Sequence, residues 1–334
     1  MKPEEYNPSD YLPLNCYPWP NLINPHVDQM GKDMDAWIDN DYTFLTEKQR
    51  EKYKKMRLHA CTARMVPQAS YEQAMPCNRF MLFHVAMDDQ LEHAPLEEIE
   101  HQRERFTAIL KGDNLAPGEN GLYRHAALLR DEYLVFMPAE WMERFTEDFY
   151  RTTRYGIEVE TPYKKATRPP SLALFKAIRE YSVNMYPYLC WAEIQTGFVL
   201  PKHIAEHSIL QRLRALMVRV IAWQNDFHSL PKELAKKTEV FNLILVLQQE
   251  HHISLAEACI EGLRIHNEDL TEFIALNDEF RGFGIYQEQV DNYIYHLGLM
   301  IQGINTFYIQ DTMRYLPGGS GFAWPEVETG LFKL

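Results

Sequence analysis

Phe80, His84, Asp88 and Glu92 stand four residues apart, with Asp89 beside them, and this line turns from apolar to acidic. Much later, Leu213, Met217 and Ile221 give way in the same manner to Asn225, Ser229 and Glu233. Positions four apart stack on one face of a helix, so each line is an apolar ridge ending in oxygen donors. Carboxylate, amide and hydroxyl oxygens are hard ligands of the kind Mg²⁺ takes. Carboxylates on an inward face repel one another and resist burial; a divalent cation resolves both problems. Asp-Asp-x-x-Glu alone is also an ordinary solvated helix face in an acidic chain. Asn-Asp-x-x-Ser-x-x-x-Glu is rarer, and the two patterns together carry the metal reading. Pro231 removes one backbone hydrogen bond inside the second line, so a kink between Ser229 and Glu233 is expected. Asp89 and Asp226 fall off the ridges and read as supporting groups, Asp89 paired with an arginine.

The elements that must position these side chains are helices. Helical spacing recurs over 74–94, 96–111, 121–134, 138–155, 171–186, 202–236, 254–277 and 285–315. Ser254 and Glu257 form a capping box at one of these starts. Breaks are expected at Pro13–Pro25, Asp113–Gly121, Thr161–Pro170 and Pro317–Gly321, where proline and glycine cluster. GFG at 282–284 lacks the rest of a dinucleotide fingerprint. The expectation is an all-α chain, 1–334, forming a single domain. Its proline- and aromatic-rich start, 1–26, would pack as a strap before a helix near Val27–Ile38, and 316–334 would form a lid or tail.

Composition removes several classes of function. The chain has 334 residues and 34 basic against 47 acidic side chains, a net charge of −13. An acidic balance with no basic stripe argues against a nucleic-acid partner. No apolar run approaches the roughly 20 residues of a membrane span, and MKPEEYNPSDY carries no leader pattern, so a cytoplasmic protein is expected. Five cysteines without a CxxC read as free thiols, with neither disulfides nor zinc. His251-His252 reads as a surface pair.

On these motifs the chain resembles a bacterial class I terpene synthase, a terpene cyclase, from about Asn24-Pro25-His26 to Arg314-Tyr315. Asp88-Asp89-Gln90-Leu91-Glu92 matches the aspartate-rich motif of that family. Asn225-Asp226-Phe227-His228-Ser229-Leu230-Pro231-Lys232-Glu233 matches its second metal motif, and Arg314-Tyr315 its C-terminal pair. Arg179 stands where the family places its diphosphate-sensing arginine, followed by Ser182 and Val183 at the linker and effector positions. The resemblance implies a helical bundle around a deep apolar cavity, with Asp88, Glu92, Asn225, Ser229 and Glu233 as metal ligands. Three Mg²⁺ ions and a prenyl diphosphate would bind there, with Arg179, Lys232, Arg314 and Tyr315 on the diphosphate. It also implies ionisation and cyclisation to a sesquiterpene hydrocarbon or alcohol, and a possible homodimer.

Farnesyl diphosphate leads among substrates, with a diterpene synthase acting on geranylgeranyl diphosphate as the alternative. Phe80, Phe83, His84 and Tyr308 are the candidate pocket residues, and Trp191, Phe198 and Phe307 lie near the motifs. Two positions depart from the family. Val183 is bulkier than the small residue common there, and His84 replaces an apolar aromatic. His84 reads either as a hydrogen-bonded core histidine or as a group that positions a water or acts as a base. An elongating prenyl synthase, a phosphohydrolase and a non-catalytic helical binding protein are the rivals.

Overall fold

The computed structural model describes residues 6–92, 94–236 and 239–315, and every regular element among them is helical. The expected lid or tail at 316–334 lies outside these residues. Helices α1 (Val27–Asn40), α2 (Glu47–Met56), α3 (Leu58–Met65) and α4 (Tyr71–Leu91) come first. Next are α5 (Leu96–Leu110), α6 (Leu122–Leu134) and α7 (Ala139–Thr152), and a π turn over Thr153–Ile157 leads into α8 (Glu158–Ala166). Short helices α9 (Leu172–Ser182), α10 (Tyr186–Leu189), α11 (Trp191–Thr196) and α12 (Lys202–Ala205) precede the longest, α13 (Ser208–Lys236). The remaining elements are α14 (Leu243–His251), α15 (Leu255–Glu279) and α16 (Gln287–Thr306), then a second π turn over Phe307–Asp311. Among the described residues no helix is long and apolar enough to cross a membrane.

Local chemistry sets these boundaries. Capping boxes start α2 (Thr46 with Gln49), α4 (Ser70 with Gln73) and α15 (Ser254 with Glu257). Each satisfies two otherwise orphaned backbone donors, and its cap is worth ~1 kcal/mol. Left-handed residues end α2, α8 and α14 at Arg57, Thr167 and His252. Three expected spans change. The 202–236 helix is interrupted after Ala205 and restarts at Ser208, and the 285–315 helix gives way to the π turn at Phe307. The break expected at 161–170 is delayed, because α8 runs through Pro162 to Ala166. Pro76 and Pro231 are likewise inside helices. Each proline forfeits one backbone bond, and burial of the flanking side chains outweighs that loss.

An aromatic block fixes α4 against α5 and α7. The Phe80 and Phe145 ring centroids are 4.9 Å apart, and Phe83 meets Phe106 edge-on at 5.4 Å. The N-terminal stretch lies along α13, α15 and α16. Tyr6 Oη donates to the Phe227 carbonyl (2.8 Å), Tyr17 Oη pairs with His266 Nε2 (2.8 Å), and Gln302 Nε2 donates to the Leu14 carbonyl (2.7 Å). Trp19 lies over Gly298, where any Cβ would overlap its indole. The first π turn has a similar constraint, since a Cβ on Gly156 would sit 2.5 Å from the Ser182 amide nitrogen. The five cysteines are free, four of them buried, and His251 and His252 are exposed.

Two outcomes follow from this packing. Gly156→Ala forces the π turn away from the end of α9 and should cost about 1–3 kcal/mol, read as a lower urea midpoint; an unchanged midpoint contradicts the close approach. His125, 2% exposed, is held neutral by burial and by Arg79, with its pKa lowered to about 4, against ~6.5 unfolded. The unfolded chain therefore binds the extra proton first. The stability this histidine confers is present above pH ~6.5 and is lost as pH falls to ~4. Relative to His125→Gln, the wild type should lose about 2–3 kcal/mol over that window; parallel urea-midpoint profiles contradict it.

Candidate active site

Both ridges end on one cavity of about 240 Å³. Six carboxylates (Asp88, Asp89, Glu92, Glu160, Glu233, Glu239) and four basic side chains (Lys164, Arg179, Lys232, Arg314) share its lining with apolar groups such as Leu58, Met81, Ile304 and Phe307. Such a site suits a ligand with an anionic end and a greasy end, with a cation to balance the surplus of carboxylates.

The first wall is the end of α4. Asp88 lies in its last turn and Glu92 is the C-cap residue. Asp88 Oδ1 accepts from Asn184 Nδ2 at 3.1 Å. Burial pushes its carboxyl up to about 6; Lys164 pulls it back, while Asp89, Glu92 and Glu160 push it further. Asp89 accepts from Tyr53 Oη (2.8 Å) and Lys52 Nζ (3.0 Å). Its hydrogen-bonded cation is thus a lysine of α2, not the expected arginine, because α2 is the helix set beside this turn.

The second wall is α13, which runs through Pro231 to Lys236 as one helix and keeps Asn225, Ser229 and Glu233 on the cavity. Asn225 Oδ1 accepts from Arg179 Nη2 (2.7 Å), and its Nδ2 donates to Tyr308 Oη (3.0 Å) and Tyr315 Oη (3.2 Å). Ser229 Oγ is buried without a hydrogen bond of ordinary geometry, although it offsets part of the rise in the Glu233 carboxyl. That rise comes from burial and from the Glu239 and Asp226 charges. Glu233 also accepts from Asn242 Nδ2 at 2.6 Å.

Asp226 points away from the ridge and ties the wall together. Its Oδ1 accepts from Arg179 Nε (3.0 Å) and Nη2 (2.6 Å), and its Oδ2 from the Leu243 amide (2.8 Å). Full burial raises this carboxyl, and Arg179 is the main force pulling it back. The third wall is the broken end of α9. Ser182 closes the helix, Val183 caps it, and Asn184 reverses the chain with φ 61°, a conformation asparagine tolerates well. All three line the cavity, and Ser182 Oγ and Asn184 Oδ1 are buried and unpartnered.

Arg314 and Tyr315 form the last wall. Arg64 pairs with Asp311 (2.9 Å) and Thr312 Oγ1 donates to the Met56 carbonyl (2.9 Å), anchoring their segment. Arg314 Nε is buried with no partner.

His84 and Tyr308 line the cavity; Phe80 and Phe83 do not. Both phenylalanines are fully buried in the aromatic block. Phe80 lies one turn deeper than His84, and Phe83 faces α5. Trp191 is also in the core, donating to Tyr133 Oη at 3.0 Å. Sequence reasoning missed Glu160, Lys164, Asn184, Tyr188 and Glu239. Glu160 and Lys164, paired at 2.6 Å, were legible as an i,i+4 ion pair, but Lys164 fell in the expected break and Glu160 just before it. Asn184 carried the signal of an asparagine just past a helix end.

Among the described residues, no three His, Cys, Asp or Glu side chains converge as a ready-made metal site. The hard-oxygen set is instead split between walls and includes an amide and a hydroxyl. That fits a cation completed by the ligand's own phosphate oxygens, as Mg²⁺ sites often are. The orphaned Ser229 Oγ and the raised Asp88 and Glu233 carboxyls are the groups such a cation would satisfy.

The model of terpene synthase family 2, C-terminal metal binding, matches residues 79–272, which span both ridges. A (+)-T-muurolol synthase of Roseiflexus castenholzii, named as cyclising (2E,6E)-farnesyl diphosphate, is 29% identical over 79% of this chain and 82% of its own. A germacrene A synthase of Nostoc punctiforme is 26% identical over 90% and 94%. The fold is shared with 2-methylisoborneol synthase of Streptomyces coelicolor, solved with Mg²⁺ and 2-fluoroneryl diphosphate, at a TM-score of 0.79 and 17% identity over 91% and 97% of the two chains. With both acidic ridges inside the matched domain, this chain belongs to terpene synthase family 2 and is a class I terpene synthase.

Proposed function

We propose that the chain ionises farnesyl diphosphate with Mg²⁺, cyclises the resulting carbocation to a sesquiterpene hydrocarbon or alcohol, and releases diphosphate. The observation that carries this reading is a single cavity joining split oxygen donors, four basic side chains and an apolar lining. The T-muurolol synthase relative, by its name, takes the C15 substrate.

Asp88 and Glu92 from one wall, with Asn225, Ser229 and Glu233 from the other, would hold the ions, three in number by family resemblance. Bound Mg²⁺ supplies Lewis-acid stabilisation of the departing diphosphate. Arg179, Lys232 and Arg314 add fixed positive charge, and Tyr315 Oη adds a donor, where negative charge develops. Asn225 Oδ1 is now held by Arg179. Releasing it to a cation frees one guanidinium donor for the diphosphate, while the bonds to Asp226 keep Arg179 in place. Ser182 and Val183 line the same cavity, where by family resemblance a hydroxyl and a helix-end carbonyl would serve. The apolar lining excludes water from the cation until it cyclises, and Tyr308 offers an aromatic face.

Incubation with C10, C15 and C20 prenyl diphosphates, with and without Mg²⁺, should give a cyclic C15 product only with the metal, read by gas chromatography and mass spectrometry. No turnover by folded protein, or longer linear diphosphates when isopentenyl diphosphate is also supplied, would overturn the reading. Neighbouring substitutions separate site from scaffold. Asn225→Ala should lower turnover by at least about 100-fold while costing under about 2 kcal/mol of stability. Asp226→Ala strands a buried guanidinium and should cost about 3–5 kcal/mol. Equal unfolding of both, or wild-type turnover in Asn225→Ala, contradicts the division.

A further inference from the structure

His84 lines the cavity, and one nitrogen of its ring is used by nothing in the fold. His84 is 3% exposed, its Nδ1 lies 2.8 Å from Tyr188 Oη, and its Nε2 is buried with no partner. Tyr188 Oη also lies 3.7 Å from Met81 Sδ. Counting donors assigns the protons. If Tyr188 donated to Nδ1, the ring's own proton would sit on Nε2 as a buried donor without an acceptor, which costs about 1–3 kcal/mol. If Nδ1–H donates to Tyr188 Oη, the phenol proton goes to Met81 Sδ and every donor is used. A bare lone pair then remains at Nε2.

The surroundings favour a proton acceptor over a water carrier. A held water needs two to four polar partners; Leu58, Met65, Met81, Val85 and Ile304 make up the apolar part of the lining that His84 shares, and its polar part includes Asp88, Ser182 and Asn184. Among other groups on this lining, Tyr308 Oη accepts from Asn225 Nδ2 and keeps its own O–H, and the Cys61 thiol points at Met65. Phe80 stacks on the imidazole with centroids 5.1 Å apart, so a charge formed on the ring meets a π face. Burial keeps the imidazole neutral, its pKa lowered to about 3, and the hydrogens beside a carbocation are far more acidic than any imidazolium.

Resting on the function proposed above, we propose that His84, oriented by Tyr188, is the base that ends the reaction and makes its main product a cyclic olefin. The C–H bond next to the cationic carbon breaks and its electron pair becomes the π bond of a new alkene. The proton passes to Nε2, giving an imidazolium whose Nδ1–H stays on Tyr188 Oη. It returns to solvent once the olefin has left.

The test has a structural arm and a product arm. In ¹⁵N-histidine-labelled protein without substrate, nitrogen shifts should show His84 protonated at Nδ1 and bare at Nε2; the opposite tautomer overturns the proposal. With farnesyl diphosphate and Mg²⁺, the main olefin's share of all products should fall at least tenfold in His84→Phe. In His84→Ala, imidazole should restore that share, and thiophene, of the same shape but not basic, should not. An unchanged share in His84→Phe, equal rescue by thiophene, or an alcohol as the wild-type main product overturns the role of His84. No diphosphate release by wild-type protein would instead defeat the function proposed above.

Discussion

The buried pair between Arg179 and Asp226 is the contact on which the site's geometry rests. It joins the last turn of α9 to the middle of α13, and the second carboxylate oxygen of Asp226 takes the Leu243 amide at the start of α14. Asn242 reinforces the junction by donating to the Asp226 carbonyl and to Glu233. Three helices therefore meet through one carboxylate with no exposed surface. A buried ion pair is seldom a net source of stability against an apolar substitute. Its value here is positional, because it sets the relation between the broken end of α9 and the ridge carrying Asn225, Ser229 and Glu233.

Around that junction the cavity is polar beyond what the fold can satisfy by itself. Asp88 and Glu233 are held above the ordinary carboxylate range, and Ser182, Asn184, Ser229 and Arg314 each keep a buried atom without a partner. Orphaned buried polar atoms are costly in a finished core. They gather here around groups of both signs, which is the arrangement of a site awaiting a cation and an anion together. The rigid aromatic block below, built from Phe80, Phe83, Phe106 and Phe145, supplies the stiffness that lets such an unsatisfied surface persist.

Much of this was legible in the residues. The four-residue spacing placed both acidic ridges, and the Ser254 capping box marked the start of α15. Spacing gives the direction of a side chain but not its depth, so Phe80 and Phe83 were expected in the cavity and lie in the core beneath it. Proline inside a helix is a weaker stop than its clustering suggests: α8 continues through Pro162, so the Glu160–Lys164 pair lies on one helix and not at a break. Helix α2, EKQREKYKKM, has too few apolar residues to show a face, although its Thr46–Gln49 capping box was present to be read. The partners of Asp89 and Asp226 depend on which helices become neighbours, a property of the tertiary fold that no local pattern carries.

On the function proposed above, completion of the cavity requires a divalent cation and a diphosphate acting together. This requirement is tested most directly by thermal unfolding of the wild-type protein with MgCl₂, with inorganic diphosphate, and with both. Mg²⁺ and diphosphate together should raise the midpoint by about 3–5 °C, with a much smaller change from either one alone. An equal rise with diphosphate in the presence of a chelator, or no rise with both, would contradict the account.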